Sequence, residues 1–454
     1  MSETRKDTLT IFMYPWFAMG HFIPYLLTAN KFAERGHKTF LIVPPNTQPK
    51  LSPLSLYPDH IKFIPISIPA VDGLPAHVET TNDTTIQDQD LLRHALDLTQ
   101  PVIESLLCDL KPDFIFSDLK HWVPGLARRL QIKSVYYSVA SPATMGFLFT
   151  EGMLTEDIIN GPPGYPPSIK LHKHMARVFV WFQTAKERGS GITLQKRFLT
   201  AICESDAVGF KTCKEIEGEY CEFLENMLKK PILFAGPMVP KPEANLTLDQ
   251  KWAEWLDKFK PRTVIFCAFG TEVVLKKDRL EELLLGFELT GLPFLIALRP
   301  PLGVDSIEED LPHGFKERTK ERGIVYGGWV PQQLILKLSS VGCFVTHCGY
   351  GSTWEGLMSE CQLVVLPHAF DHCIQARLLS GVLKVGLEVE IGDEDGLFTK
   401  EGVHGAIMAA MADGSEAGKE VRRNHDKYRE FLMREGLEDS YFDNFVTKLR
   451  TLLE

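Results

Sequence analysis

Two series of short apolar runs constrain the fold of this chain more than any other feature. The first covers residues 9–13, 38–43, 61–66, 113–117, 134–137, 207–210 and 232–235. The second covers residues 263–269, 294–298, 323–326, 342–346, 363–366 and 384–387. The runs are rich in Val, Ile, Leu and Phe and mostly lack the polar alternation of a half-exposed strand. Strands of this kind are buried on both faces, as in parallel sheets flanked by helices. Amphipathic stretches lie between most of them, at 22–35, 91–107 and 124–130 among others, and Gly36 stands where a helix would end. The alternation predicts an α/β fold of doubly wound parallel sheets.

Between the two series lies PMVPKPEANLTLDQ, which is Pro-rich, polar and without periodicity. It predicts a linker, and 454 residues are too many for one ordinary core. The expected division is a first domain at 1–240, a linker at 241–250, a second domain at 251–435, and a C-terminal helix at 436–454 packing back on the first domain. Ligands of such folds bind beyond the carboxyl ends of the strands, so a cleft between two facing sheets is the expected site. Residues 67–90, polar and turn-rich, and 149–167, which carry GPPGYPP, break the rhythm as long irregular loops, expected to line the acceptor pocket.

A formal net charge of -10, with no long basic run, argues against nucleic acid or an anionic membrane as the main partner. Nine cysteines, with no C-x-x-C pair, fit buried free thiols in a reducing compartment. The N-terminal MSETRKD is polar, and no apolar stretch approaches the roughly 20 residues of a membrane span. The expected setting is cytoplasmic.

The chemistry concentrates in residues 329–372. The run 342–346 leads into His347-Cys348-Gly349-Tyr350-Gly351-Ser352, a Gly-rich passage from strand to helix. Glycines let backbone N–H groups approach an anion, and a helix starting at Ser352 aims its positive end the same way. His347 and Ser352 can add donors. Ser352 and Glu355 also have capping-box spacing, which accounts for that pair without a ligand. A second loop, Gly270-Thr271, closes the run 263–269. Trp329 precedes Val330-Pro331-Gln332, offering an indole to stack on a base and an amide for its edge. In the first half, the run 9–13 leads through Trp16 and Phe17 to His21, just before a helix expected from about Phe22. The run 113–117 ends at Asp118. A histidine oriented by a carboxylate is a base near neutral pH, and carboxyl ends of parallel strands converge, so His21 and Asp118 can meet. Each is also a natural helix or turn cap.

Residues 329–372 resemble the signature box of plant secondary-product UDP-glycosyltransferases of family 1, through WxPQ, the VGxFxTHCG run, Ser352, Glu355, Pro367 and Asp371. The resemblance implies a GT-B fold, two Rossmann-like doubly wound domains facing a central cleft. It implies that Trp329 stacks on uracil, that Gln332 contacts it, and that Val330 works through its backbone. Glu355 would bind the ribose hydroxyls. His347, Gly349, Tyr350, Gly351, Ser352 and Thr271 would hold the diphosphate. Asp371 and His372 would face the sugar, and Ser141 would touch it. Transfer would proceed with inversion, His21 acting as base and Asp118 orienting it. PWFAMGH and HCGYGS resemble the branch that extends glycosides, which implies a phenolic glycoside acceptor, flavonoid or phenylethanoid, met by Trp16, Phe17 and Phe370.

No DxD-type cluster flanks the glycine loops of the second half, so no metal or other cofactor is expected. The UDP-sugar is a co-substrate, and the chain is expected to act as a monomer. Three positions depart from the family pattern: Val330 for Ala, Tyr350-Gly351 for Trp-Asn, and His372 for Gln. The last two shift the expected donor toward UDP-rhamnose, with UDP-glucose and UDP-xylose as alternatives. A UDP-sugar epimerase or hydrolase, or a non-catalytic binder, is the rival reading.

Overall fold

A computed structural model describes residues 8–239, 247–412 and 414–454. Most of the expected linker at 241–250 lies outside these residues, as does the side chain of Phe370. Each of the first seven apolar runs is a strand: Thr10–Tyr14 (β1), Lys38–Val43 (β2), Ile61–Pro65 (β3), Phe114–Ser117 (β4), Lys133–Ser138 (β5), Ala207–Phe210 (β6) and Ile232–Phe234 (β7). They form one parallel sheet in the order β3-β2-β1-β4-β5-β6-β7. The second series gives Val264–Ala268 (β8), Phe294–Ala297 (β9), Gly323–Tyr326 (β10), Val341–Thr346 (β11), Gln362–Val365 (β12) and Gly386–Glu388 (β13). These also run parallel, in the order β10-β9-β8-β11-β12-β13. Both orders reverse direction at one place, between β1 and β4 and between β8 and β11. There the crossover helices leave on opposite faces and open a crevice.

The helix Met19–Glu34 ends as the sequence suggests. Gly36 has φ 76°, and the N–H groups of Gly36 and His37 return to the carbonyls of Ala33 and Phe32, a Schellman closure. The stretch 91–107, expected as one helix, is two: Gln89–Asp97 and Gln100–Leu110. Pro101 sits in the first turn of the second, where its missing N–H costs nothing, and it cannot continue the first. The break leaves Asp97 at a helix end.

The chain divides into two compact units: Met1–Met153, Phe179–Pro240 and Gly436–Glu454 form the first, and Leu154–Val178 and Lys241–Glu435 the second. The C-terminal helix Leu437–Thr451 inserts Phe442 and Phe445 among Phe32, Phe116 and Tyr137 of the first unit, with Phe32 and Phe442 centroids 4.9 Å apart. Residues 154–178 differ from the expected division, since they cluster with the second unit. His174 N–H donates to the Asp393 carbonyl at 3.0 Å, Lys173 N–H to the Asp393 carboxylate at 3.1 Å, and Arg177 to Glu394 at 3.0 Å. Backbone pairing of this kind carries no sequence signature. All nine cysteines are free, and only Cys108 and Cys203 are exposed. Among the described residues no helix is long and apolar enough to cross a membrane.

Candidate active site

In the first sheet, Tyr14 of β1 stands beside Ser117 of β4, so the chain leaves both strands at one level. From β1 it passes through Pro15 to Ala18 into the helix Met19–Glu34, whose first turn carries His21. That start is earlier than the sequence suggested, because Ala18 takes the extended N-cap conformation. Asp118 follows β4 directly. His21 Nδ1 lies 2.6 Å from Asp118 Oδ2, and the Trp16 N–H donates to Asp118 Oδ1 at 2.6 Å. With both carboxylate oxygens accepting, the imidazole proton belongs on Nδ1, and Nε2 keeps its lone pair. The His21 side chain is 23% exposed and that of Asp118 only 2%. The imidazole is reachable, and the group that orients it is not.

Sequence reading passed over the charges behind this pair. Arg197 is buried and grips Asp97 with two nitrogens, at 2.8 and 2.7 Å, while its Nε donates to Glu187 at 2.9 Å. Arg93 also pairs with Glu187. Lys120 is buried beside Asp118. Between them Leu119 has φ 44°, a left-handed conformation that costs a branched apolar residue on the order of 1 kcal/mol. Nothing about a leucine announces that turn. The only available signal was a lysine two residues beyond a strand-end aspartate.

Two expectations for this unit need correction. Phe17 has no accessible surface, and its ring packs against Tyr14 and Phe22, so it supports the segment and offers no face to a ligand. Ser141 is buried, and its Oγ caps the helix Pro142–Phe147 by accepting from the Thr144 N–H at 3.1 Å. Trp16 is 5% exposed and offers little more than an edge.

In the second sheet, β11 leads through His347, Cys348 and Gly349 into the helix Tyr350–Met358. Gly349 is the N-cap, so the helix begins before Ser352 and the expected Ser352–Glu355 capping box does not form. Glu355 instead accepts from Gln332 at 2.5 Å and Gln333 at 2.9 Å, and Gln332 also donates to Ser352 Oγ at 3.2 Å. The left-handed residue of the loop is Cys348, at φ 68°, rather than a glycine. Gly349 serves a different purpose, because a Cβ there would stand 2.3 Å from His347 Nε2. At Gly270, after β8, it would stand 3.1 Å from the same atom. The two glycines make room for one imidazole. A Cβ on Gly351 would meet nothing within 4 Å. The Tyr350 ring is buried against Trp354.

His372 lies in the first turn of the helix Phe370–Arg377, and its Nδ1 accepts from the Ala369 N–H at 3.1 Å. The neutral ring therefore carries its proton on Nε2, which lies 4.0 Å from Asp371 Oδ1. Its ring meets that of His347 edge to face at 4.7 Å. Burial pulls His372 down to about 4. Burial, then the neighbouring His372, holds His347 well below the usual imidazole range. Burial takes His368 down to about 3, with His372 and His347 adding to the shift. All three rings are neutral donors at physiological pH. Trp329 is 69% exposed, Val330 is buried, and the Thr271 carbonyl accepts from Arg299 at 2.8 Å.

The chain is 50% identical over 454 residues to a cyanidin 3-O-galactoside 2''-O-xylosyltransferase of Actinidia chinensis var. chinensis, covering 98% of this chain and 99% of the relative. It belongs to the plant UDP-glycosyltransferases. It is therefore an enzyme that transfers sugar. This UDP-glycosyltransferase is also 48% identical over 458 residues to an anthocyanidin 3-O-glucoside 2''-O-glucosyltransferase of Ipomoea purpurea, with 99% of each chain covered. Among solved structures it is similar to UGT73P12 of Glycyrrhiza uralensis, complexed with glycyrrhetinic acid 3-O-monoglucuronide. The TM-score is 0.79 at 20% identity, over 98% of this chain and 96% of that one. That likeness shows the fold, which is GT-B. No family model matches the chain.

Proposed function

We propose that this UDP-glycosyltransferase moves a sugar, with inversion, from a UDP-sugar to a hydroxyl on the sugar of a phenolic glycoside. The observation that carries the reading is the 2.6 Å contact of His21 with Asp118 at the switch point of the first sheet. His21 Nε2 takes the proton of the acceptor hydroxyl. The freed oxygen bonds to the anomeric carbon from the face opposite UDP. The bond from that carbon to the diphosphate breaks, and UDP leaves with the electron pair. Asp118 holds the imidazole tautomer and balances the imidazolium that forms.

On the donor side, charge developing on the diphosphate meets the N–H groups of Gly349, Tyr350, Gly351 and Ser352 at a helix N-terminus, the neutral His347, and Thr271. Trp329 stacks on uracil, with Gln332 and the Val330 backbone at its edge, and Glu355 takes the ribose hydroxyls. Asp371 and His372 meet the sugar. The exposed indole of Trp329 and the Gln332–Glu355–Ser352 network support these assignments. On the acceptor side, the edge of Trp16 and Phe370 remain the candidates.

The two relatives are a xylosyltransferase and a glucosyltransferase acting on anthocyanin glycosides, which supports the acceptor class. They transfer xylose and glucose, and the rhamnose expected from His372 and Tyr350-Gly351 finds no support there. UDP-xylose and UDP-glucose are therefore the leading donors. The test is UDP release from a panel of UDP-sugars, with and without flavonoid and phenylethanoid glycosides. Release that requires the glycoside supports the reading. Release without any acceptor points to a hydrolase, and no turnover with any pair overturns the proposal.

A further inference from the structure

We propose that Lys120 is a positioning residue for the His21–Asp118 pair: its buried ammonium holds the carboxylate in place and offsets part of its pull on the imidazole. The inference rests on the reading of His21 as the base. Lys120 is 2% exposed. Its Nζ donates to the Pro15 carbonyl at 2.6 Å, stands 3.8 Å from Asp118 Oδ1, and lies 4.3 Å from the centroid of the Tyr14 ring. Pro15 immediately precedes Trp16, whose N–H holds the same Oδ1 at 2.6 Å. Lys120, Pro15, Trp16 and Asp118 thus close a ring of contacts on the side of the carboxylate away from His21, leaving Oδ2 to the imidazole. The left-handed turn at Leu119, with Lys120 N–H donating to the Asp118 carbonyl, keeps Lys120 next to that carboxylate.

A tie to the Pro15 carbonyl needs only a neutral donor. Burying an ammonium is costly unless its charge is matched, so the charge itself calls for a partner. The helix Gln89–Asp97 supplies Asp97, but Arg197 of the helix Leu194–Glu204 grips that carboxylate with two nitrogens. His121, next in sequence, lies 3.0 Å from Arg197. Arg93 and Glu187 pair with each other in the same network. β1 supplies Tyr14, whose hydroxyl shares a hydrogen with Thr99 Oγ1 at 2.8 Å and which burial holds neutral. The helix Met19–Glu34 supplies His21. Asp118 is the carboxylate left to balance Lys120.

Burial pulls Lys120 down to about 8, against the attraction of Asp118 and Asp97 and with help from Arg197. The ammonium is thus charged at neutral pH and is lost as pH rises through that value. While charged, it opposes formation of a second cation at His21 and extends the range in which the base is ready.

The test is the pH profile of kcat/KM for Lys120→Met, Lys120→Gln and Lys120→Arg. The two neutral variants should move the acid limb to higher pH, lowering kcat/KM about threefold to tenfold near pH 6 and much less on the plateau. The arginine variant should keep the limb where it is. Should the methionine variant not fold, the glutamine variant, which can still donate to Pro15, carries the same test. An unmoved limb in the neutral variants that fold overturns the proposal. So does a loss equal at every pH, which marks Lys120 as structural only. Asp118→Asn separates the two levels: near-normal rates there defeat the base itself, whereas a slow Asp118→Asn with an unmoved limb defeats only the role of Lys120.

Discussion

The two sheets share the same central strand order, yet the residues at their switch points are held in opposite electrostatic states. In the first, His21 faces the carboxyl group of Asp118, backed by a lysine, two arginines and two further carboxyl groups. In the second, His347, His368 and His372 crowd together and burial keeps them neutral. One topology thus makes a place where a proton can be accepted and a place where hydrogen bonds can be donated without a net charge. What separates them is whether the buried polar groups come with counter-charges.

The largest effect should come from removing the counter-charge that orients His21. Asp118→Asn should lower kcat by about a hundredfold to ten-thousandfold, measured as UDP release at saturating donor, with the buried Lys120, its counter-charge gone, shedding its proton so that the chain still folds. Rates within a few fold of the parent would erase the distinction between the two switch points. Next is Gly349→Ala. Its Cβ would collide with His347 Nε2, and that ring is hemmed in by His372 and Gly270. The KM for the UDP-sugar should rise about tenfold or more as a charge-assisted donor is displaced, with kcat less affected. An unchanged KM would show that His347 does not hold the donor.

The neutral cluster should also appear in stability. The folded values lie below the unfolded one, so the unfolded chain binds more protons as pH falls below about 6.5. Stability is complete above that value and declines as pH drops toward 4, by about 3 kcal/mol at most for His372 alone. Urea unfolding at stepped pH measures this, and His372→Gln should flatten the slope. The same variant in a donor panel tests whether its single Nε2 proton helps choose the sugar, and an unchanged preference removes His372 from that role. The smallest effect is expected from Gly351→Asn. The position has open space and no positive φ, so the melting temperature should move by no more than about 2 °C. The restored amide should alter donor affinity by a few fold.

Much of this was written locally. Each apolar run became a strand because a strand buried on both faces must be apolar along its length, and the residues between were free to be amphipathic. His21, Asp118 and His347 could be located for the same reason, standing just past strands that could be read. Other features depended on distant partners. The helix after β11 starts at Tyr350 because Gly349 takes the N-cap, which left Glu355 to the two glutamines. The left-handed turns fall on Leu119 and Cys348, residues that give no sign of them. Phe17 looked like a ligand contact until the rings of Tyr14 and Phe22 were seen to cover it.

The amino-acid sequence by itself determined the two parallel sheets, the family box at 329–372 and the residues that face each strand end, because periodicity and burial act within a few residues along the chain. Only the tertiary structure decided which charges are matched. Asp97 and Lys120 lie tens of residues from Glu187 and Arg197 and all four are ordinary in composition, and their meaning comes from burial together, where the low dielectric makes each partner consequential.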